Sequence, residues 1–407
     1  MRNASDWSRR VRRLTAGVAV VLTATGTLAA CGGSSGSNGA SGAKNCTVRS
    51  LLVSNLTGPG ASNGTQNKAA AEVAKKQIND AGGINGCTLS VDYADDTSDY
   101  TTNLPLTQKA LAQKKYAMVQ GADFGAGSIA PYLTRQKILG MFSNGTKGLP
   151  DPAVNPYLFD TTTTGADVVT AVAKYAVSQG DKEIAVVADN TGVGKSVIGA
   201  VKGVLESSGG KLVSSEQVDL SNVNMTPAVQ RLKGSGAKTI LVSLFGAAGG
   251  HFFSALSASG WKPTVYGSQS VFATNLAALI PVKDFAGIVA GGGTYATSPS
   301  SDRAKAFFEQ LKASGYDTTK GIYSTAPAHD DLILFAAAAN ATKSTDAAKM
   351  TKWLEDNGTT TIDGLVLAST TGYSSTNHEW HAPGSLSTAK MGALDEFGLL
   401  PRIATIN

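Results

Sequence analysis

The sequence predicts an α/β fold with two parallel sheets in two lobes. Short apolar runs alternate with helical patterns, and this alternation falls into two series that change over near residues 157–164. About 360 of the 407 residues follow the N-terminal segment, a length that exceeds what one hydrophobic core usually serves. Repeated strand–helix units imply parallel sheets covered by helices on both faces.

The first series contains four predicted strands, each a short apolar run. A helix is predicted between the first two, because apolar residues recur every three to four positions from Ala69 to Ile78. Gly82 and Gly83 follow the last of them and end the helix. The four strands cover residues 50–53, 89–93, 116–120 and 138–142.

The second series repeats the pattern beyond the change-over, which Tyr157–Asp160 and the threonines at 161–164 mark. Its predicted strands cover residues 184–188, 211–213, 239–244 and 264–267, with helices such as 193–205 and 227–232 between them. Two such sheets joined side by side leave a cleft at the carboxyl ends of their strands.

The first 30 residues have the features of an export signal. A basic start between Arg2 and Arg13 precedes an uncharged stretch from Leu14 to Leu28. These 15 residues, at about 1.5 Å each, are too short to cross a bilayer core of about 30 Å. Leu28-Ala29-Ala30-Cys31 resembles the bacterial lipobox, so we expect residues 1–30 to be removed and Cys31 to be lipidated. Ordinary signal cleavage with Cys31 incidental is the alternative, and the arginine pair at 9–10 leaves Sec or Tat export open.

The segment after Cys31 is a flexible linker over residues 31–45. Residues 32–44 read GGSSGSNGASGAK, a composition that buries nothing and behaves as coil. Removal of residues 1–30, which hold five Arg and one Asp, reduces the formal charge of +5 to about +1. No basic patch remains for nucleic acid. We therefore expect a chain tethered by lipid to the extracytoplasmic face of the cell membrane.

Two cysteines remain once Cys31 is assigned to lipid. Cys46 and Cys87 each precede a predicted strand, with a helical stretch between them. The strands of such a β-α-β unit run parallel, so their starting ends lie side by side. A disulfide between Cys46 and Cys87 is the expectation for an oxidising compartment, and two free thiols are the alternative.

Several short motifs suggest enzymatic or metal chemistry but do not fit it. Gly192-Val193-Gly194-Lys195-Ser196 resembles the end of a phosphate-binding loop, but Asp189 stands where that motif requires glycine. His378-Glu379-Trp380-His381 lacks the spacing of a helical zinc site, and its polar neighbours predict an exposed loop. His329 on a predicted helix is expected to be structural. We therefore predict no catalytic residues, no metal and no cofactor.

An ordered series of motifs resembles the branched-chain amino-acid-binding proteins, which are type I periplasmic solute receptors of ATP-driven importers. The series includes Thr57-Gly58-Pro59, Ala81-Gly82-Gly83-Ile84-Asn85-Gly86, Asp95-Asp96 and Asp189-x-x-Gly192-x-Gly194. The resemblance implies two Rossmann-like lobes joined by a three-crossover hinge that closes on the ligand. The N-terminal lobe would comprise residues 46–163 plus about 295–362, and the C-terminal lobe 164–294 plus about 363–407.

The resemblance also implies a ligand site, beginning with two glycine-containing turns in the first lobe. Phe124 and Gly125 follow the third strand, and Ser143, Gly145 and Thr146 follow the fourth. At least the first turn opens a helix, where unpaired N–H groups and the helix dipole favour an anion. In the relatives, matching turns hold the α-carboxylate of an amino acid. The alternative is that both are ordinary strand–helix turns that need small residues.

In the second lobe the pattern departs from the leucine-binding relatives. Thr191 stands where they have Tyr, and Gln269 stands where a Glu pairs with the ligand ammonium. An amide accepts a hydrogen bond from an ammonium but supplies no charge to offset its desolvation. Asn63 and Phe245 occupy or adjoin positions where aromatic residues are common. The specificity therefore stays open among amino acids, amides or ureas, and aromatic acids.

These observations predict a solute-binding lipoprotein of an ABC importer. We expect a monomer that captures an amino acid of the branched-chain or hydrophobic type, or a related small carboxylate or amide, and delivers it to the permease. A sensor on the same fold, which passes ligand occupancy to a signalling partner, is the alternative. The lipid anchor favours delivery.

Overall fold

The computed structural model describes residues 46–406 except 123–124, 147, 274–275, 277–278, 294–296, 300, 319–321, 323, 383–384, 393–394 and 396–398. Cys31 and its flanking segments therefore lie outside the described residues. None of the described helices is long and apolar enough to cross a membrane.

The predicted α/β fold is confirmed, with two sheets built mainly from parallel strands. The first five strands form one sheet in the order β2-β1-β3-β4-β5, and the other seven form the second in the order β12-β11-β10-β9-β8-β6-β7. The strands are β1 (Thr47–Ser54), β2 (Thr88–Asp95), β3 (Met118–Gly121), β4 (Leu139–Phe142), β5 (Leu158–Asp160), β6 (Glu183–Asp189), β7 (Lys211–Val218), β8 (Thr239–Ser243), β9 (Thr264–Gly267), β10 (Val289–Gly293), β11 (Leu386–Lys390) and β12 (Arg402–Ile406).

Helices follow most of the parallel strands and cover the two sheets. In α1, the residues Ala70, Ala74 and Ile78 are buried, as their helical spacing predicts. The helices are α1 (Ala61–Asp80), α2 (Asn103–Gln113), α3 (Ala126–Gln136), α4 (Gly165–Ser178), α5 (Gly192–Ser207), α6 (Thr226–Gly234), α7 (Gly246–Ala258), α8 (Ser270–Ala273), α9 (Val282–Phe285), α10 (Asp302–Ala313), α11 (Thr325–Thr342) and α12 (Ala347–Asp356).

The chain passes between the two sheets three times. It leaves the first sheet after β5, and after β10 it returns to the first sheet, where α11 packs against α1, β3 and β4. After α12 it joins the second sheet again through β11 and β12, which are antiparallel additions to an otherwise parallel sheet. The lobe boundaries given above stay a prediction.

Cys46 and Cys87 form a disulfide, with their Cα atoms 4.9 Å apart. The next residues, Thr47 and Thr88, are paired in the parallel ladder of β1 and β2. Thr88 N also donates to Cys46 O at 3.0 Å. The β-α-β register therefore brings the two cysteines to the same edge of the first sheet.

The prediction of an exposed loop at residues 378–381 is wrong for His378, whose exposed fraction is 0%. Its ring stacks on Phe159 with centroids 3.9 Å apart. Its Nδ1 lies 2.9 Å from Leu158 O and its Nε2 lies 3.0 Å from Glu355 Oε1. The segment packs on β5, so both ring nitrogens are satisfied by contacts that local polarity does not reveal.

His329 is a structural residue, as expected. It is 1% exposed. Its Nδ1 lies 2.8 Å from Asp330 Oδ1 and its Nε2 lies 2.8 Å from Gln77 Oε1. Asp330 in turn accepts hydrogen bonds from the backbone N–H groups of Val366 and Leu367. His329 and Asp330 therefore tie α11 to α1 and to the segment that leads back to the second sheet.

Candidate ligand-binding cleft

The segments that follow β1 and β8 approach each other closely, where the ligand cleft of the two lobes is predicted. A Cβ atom placed on Gly246, at the start of α7, would lie 3.5 Å from Pro59 O and 3.8 Å from Gly60 Cα. Gly60 precedes the first turn of α1, which carries Asn63. The structure therefore brings the start of α1 in the first lobe against the start of α7 in the second.

The turn after β3 is shaped by close backbone approaches. Gly121 has φ +85°, and a Cβ atom there would lie 2.2 Å from Val53 O, so only glycine fits. At Gly125 a Cβ atom would lie 2.2 Å from Asn103 Nδ2, an atom that donates to Ala122 O at 2.9 Å. Gly125 precedes α3 and provides no side-chain cap. No side chain at Gly125 therefore occupies the first N–H groups of α3. Phe124 lies outside the described residues.

The turn after β4 carries Ser143 and Thr146, and the backbone N–H groups of Gly145 and Thr146 in this turn are in use. Gly145 N donates to Asp160 Oδ2 at 2.8 Å, and Thr146 N donates to Asn144 Oδ1 at 3.1 Å. Gly145 has φ +66°, which fixes the sharp bend. This turn therefore offers hydroxyl groups to a ligand rather than the N–H groups of Gly145 and Thr146.

Asp160, at the end of β5, holds this turn in place. Its carboxylate accepts from Gly145 N and from Thr162 N, the latter at 2.9 Å. Its backbone oxygen accepts from Tyr373 Oη at 2.9 Å. Burial raises the pKa of the Asp160 carboxyl to about 8. Asp160 thus connects the turn after β4 to two segments that pass between the sheets, one containing Thr162 and the other containing Tyr373.

A second buried carboxyl, Asp331 on α11, lies close to the same turn. Thr161 Oγ1 is 2.7 Å from Asp331 Oδ1 and 3.1 Å from Ser143 Oγ. Burial raises the pKa of Asp331 well above its usual range, and the neighbouring carboxyls of Asp160 and Asp330 raise it further. Neither Asp160 nor Asp331 was among the site residues predicted from the sequence. The one sequence feature that could have indicated Asp160 is its position at the end of a strand, directly before four threonines at 161–164.

In the second lobe, Thr191 caps α5. Its Oγ1 donates to Asp189 Oδ1 and accepts from Val193 N at 3.2 Å and Gly194 N at 3.5 Å. A side chain at Gly194 would collide with the carboxyl end of β6, because a Cβ atom there would lie 1.9 Å from Asp189 O. The hydroxyl of Thr191 is therefore engaged in the turn itself.

Gln269, Phe245 and Asn63 are buried. Gln269 follows β9 and is 3% exposed, and Asn63 on α1 is 8% exposed. Neither Gln269 Oε1 nor Asn63 Oδ1 has a hydrogen-bond partner among the described residues. Phe245 precedes α7 and is 9% exposed. The predicted site residues therefore include one buried, unpartnered amide oxygen on α1 and one in the turn after β9.

The predicted site residues that the structure describes carry no formal charge. Asn63, Gly125, Ser143, Gly145, Thr146, Thr191, Phe245 and Gln269 are all neutral side chains or glycines. The described residues contain no cluster of metal-ligating side chains. Hydroxyls, amide oxygens, a helix N-terminus and an aromatic ring can hold a small polar organic molecule.

The chain resembles curated binding proteins along most of its length. It is 26% identical to Leu/Ile/Val-binding protein homolog 1 of Brucella abortus, over 74% of this chain and 81% of the relative. It is 24% identical to the leucine-, isoleucine-, valine-, threonine-, and alanine-binding protein of Pseudomonas aeruginosa, over 84% of this chain and 92% of the relative.

Solved structures share the fold. An ABC transporter solute-binding protein from Rhodopseudomonas palustris in complex with 4-hydroxybenzoate matches with a TM-score of 0.76 at 21% identity, over 89% of this chain and 97% of that one. A branched-chain amino acid ABC transporter protein from Thermus thermophilus with bound valine matches with a TM-score of 0.77 at 15% identity, with the same coverage. The periplasmic binding protein family model matches residues 48–392. The chain therefore belongs to the periplasmic binding protein family, a family of solute-binding proteins rather than a class of enzymes.

Proposed function

We propose that this chain is the solute-binding component of an ABC importer, which captures one small solute in the cleft and delivers it to the permease. The observation that carries this proposal is the pair of unpartnered amide oxygens, Asn63 Oδ1 and Gln269 Oε1. Leaving a buried acceptor unpaired costs about 1–3 kcal/mol. A solute that brings N–H donors to both lobes removes this penalty and thereby favours closure.

The first-lobe turns supply the opposite chemistry. The uncapped first turn of α3, after Gly125, offers N–H groups and the positive end of the helix dipole. Ser143 and Thr146 offer hydroxyls from the neighbouring turn. A carboxylate or an amide carbonyl fits this side of the cleft, and an N–H group fits the other. The favoured ligand is therefore an amino acid of the branched-chain or hydrophobic type, or a small amide.

A second candidate is an aromatic acid. Phe245 would offer a ring face to such an acid, and Gln269 provides no negative charge that would require a ligand ammonium. The solved Rhodopseudomonas palustris protein with 4-hydroxybenzoate shows that this fold accommodates such acids. With this ligand, a ring hydroxyl would donate to one of the amide oxygens.

The cellular setting is part of the proposal. Residues 1–30 would direct export, the thiol of Cys31 would carry lipid, and the linker to residue 45 would hold a monomeric binding domain at the membrane. Metabolic labelling with radioactive palmitate tests the anchor. Label should appear on the wild-type chain and be absent from Cys31→Ser, and equal labelling of both would contradict lipidation at this residue.

A thermal-shift screen of the purified protein tests the binding function. The panel is leucine, isoleucine, valine, leucinamide, urea, benzoate and 4-hydroxybenzoate, and a ligand at 100 times its Kd should stabilise by about 2.7 kcal/mol. The response should be weakened in Asn63→Ala and Gln269→Ala and kept in Thr191→Ser, which retains the cap hydroxyl. A panel without any response would contradict the proposed ligand classes.

A further inference from the structure

Three hydroxyl and carboxyl groups, Ser143, Thr161 and Asp331, form a hydrogen-bonded series that runs from the turn after β4 into the protein interior. Ser143 Oγ lies 3.1 Å from Thr161 Oγ1, which lies 2.7 Å from Asp331 Oδ1. Thr161 is 0% exposed and Asp331 is 1% exposed, whereas Ser143 is half-buried. Thr161 Oγ1 also lies 3.3 Å from Phe142 O.

The protonation state of Asp331 influences which group donates in each hydrogen bond of this Ser143–Thr161–Asp331 series. A hydroxyl carries one proton, and an ionised carboxylate only accepts. When Asp331 is ionised, Thr161 donates to it, so Ser143 donates to Thr161 and presents only lone pairs to the cleft. When Asp331 carries its proton on Oδ1, it donates to Thr161, and Thr161 donates to Phe142 O or to Ser143. The proton of Ser143 is then available to a ligand.

We propose that Asp331, acting through Thr161, sets whether Ser143 donates or accepts a hydrogen bond in the cleft, and that the protonated form of Asp331 selects ligands bearing a carboxylate. This inference rests on the proposed function, since it requires Ser143 to contact the solute. Ser143 is the specificity-determining residue, and Thr161 and Asp331 are positioning residues.

The surroundings of Asp331 favour its protonated form. Burial raises its pKa, and the titratable groups that face it, Asp160 at the end of β5 and Asp330 on α11, raise it further. Tyr373, from the third passage between the sheets, also lies near these carboxyls, and burial together with Asp331, Asp160 and Asp330 raises the pKa of its phenol. Among the described residues that shift the pKa of Asp331, none is a cation.

The hydrogen-bonded series Ser143–Thr161–Asp331, called the relay below, predicts how ligand affinity changes with pH. Raising the pH ionises Asp331, and Ser143 then donates its proton to Thr161. Ser143 Oγ and the carboxylate of the ligand would then face each other as two acceptors with no proton between them. Affinity for a carboxylate should therefore fall as pH rises. A hydrogen bond to a charged group contributes about 1.5–3 kcal/mol, so the loss should be roughly tenfold or more. A primary amide can donate to Ser143 instead, so its affinity should change less.

The experiment measures Kd by calorimetry between about pH 6 and about pH 9 with two matched pairs, leucine and leucinamide, and 4-hydroxybenzoate and 4-hydroxybenzamide. The variants are Thr161→Val, which breaks the relay but leaves Asp160 and Asp331 in place, and Thr161→Ser, which restores the hydroxyl. Asp331→Asn supplies a neutral donor at every pH. Far-UV circular dichroism and Tm of each variant establish that it folds.

The wild type and Thr161→Ser should bind the carboxylate member more weakly at high pH. Thr161→Val and Asp331→Asn should lose most of this dependence, and Asp331→Asn should keep its neutral-pH affinity within about threefold of the wild type. If the Kd of Thr161→Val depended on pH as in the wild type, the inference would be overturned but the proposed function would stand. Direct charge repulsion between the ligand carboxylate and Asp160 and Asp331 would then account for the pH dependence. Failure of the folded wild type to bind any of the four compounds would overturn the proposed function, and the inference with it.

Discussion

Removal of the disulfide between Cys46 and Cys87 should destabilise the protein mainly through its unfolded state. The two residues are separated by 41 positions, and the chain-entropy relation for a closed loop of this size gives about 4 kcal/mol at 25 °C. In the folded protein the two strand ends stay aligned without the bond, because Thr47 and Thr88 are paired in the β1–β2 ladder. The native structure should therefore persist in Cys46→Ser/Cys87→Ser.

Equilibrium urea unfolding, followed by tryptophan fluorescence and by circular dichroism, measures this loss. The double variant should unfold at lower urea than the oxidised wild type, by a shift equivalent to about 4 kcal/mol divided by the m-value. The wild type reduced with dithiothreitol is the matched control and should reproduce the variant. Identical midpoints for oxidised wild type, reduced wild type and variant would refute the reasoning, since the bond would then restrict no conformations of the unfolded chain.

Three further predictions concern the cleft and its supports. Asn63→Ala and Gln269→Ala should each weaken ligand binding by roughly tenfold, as loss of one buried hydrogen bond predicts; calorimetry that finds unchanged affinity would exclude contact with the ligand. Gly194→Ala should lower the unfolding free energy by about 1–3 kcal/mol, because its Cβ would lie 1.9 Å from the backbone oxygen at the end of β6. Gly199→Ala on the same helix meets nothing within 4 Å and should be neutral or stabilising by up to about 1 kcal/mol. The pKa of Asp160 is raised to about 8 from its ordinary 3.8, so the contribution of Asp160 to stability should be fullest below pH 3.8. This contribution should fall as pH rises towards 8, by at most about 1.4 kcal/mol per unit. In urea unfolding, the difference in stability between the wild type and Asp160→Asn should therefore change with pH over this range, and a constant difference would contradict this.

The early strands were predictable because their signal is local. Apolar runs such as 50–53 and 184–188 lie inside β1 and β6, and the spacing from Ala69 to Ile78 matches the buried face of α1. The last three strands were not predicted. β11 and β12 are antiparallel additions, and β10 consists of the sequence Val-Ala-Gly-Gly-Gly, which has almost no strand propensity of its own. Neighbouring strands and helices decide its conformation.

The candidate site was only partly predictable. The sequence identified the glycine turns and the neutral residues Gln269 and Asn63, but it could not show which of their hydrogen-bonding groups are already in use. Gly145 was a candidate for the half of the site that holds a carboxylate, and its N–H donates to Asp160. The hydroxyl of Thr191 is likewise occupied by its own helix cap. Which groups remain open to a ligand depends on contacts made after folding.

The sequence by itself determined the strand–helix alternation and its two series, because periodicity depends on neighbouring residues. It also determined the types of side chain at the strand ends, and the order of its short motifs indicated the family. Only the tertiary structure decided that His378 is buried against Phe159, and that Asp160, Thr161 and Asp331 meet beneath the turn that carries Ser143. Thr161 and Asp331 are 170 positions apart. Their contact exists because the chain returns to the first sheet after β10 and packs α11 on β3 and β4, a long-range arrangement that no local periodicity encodes.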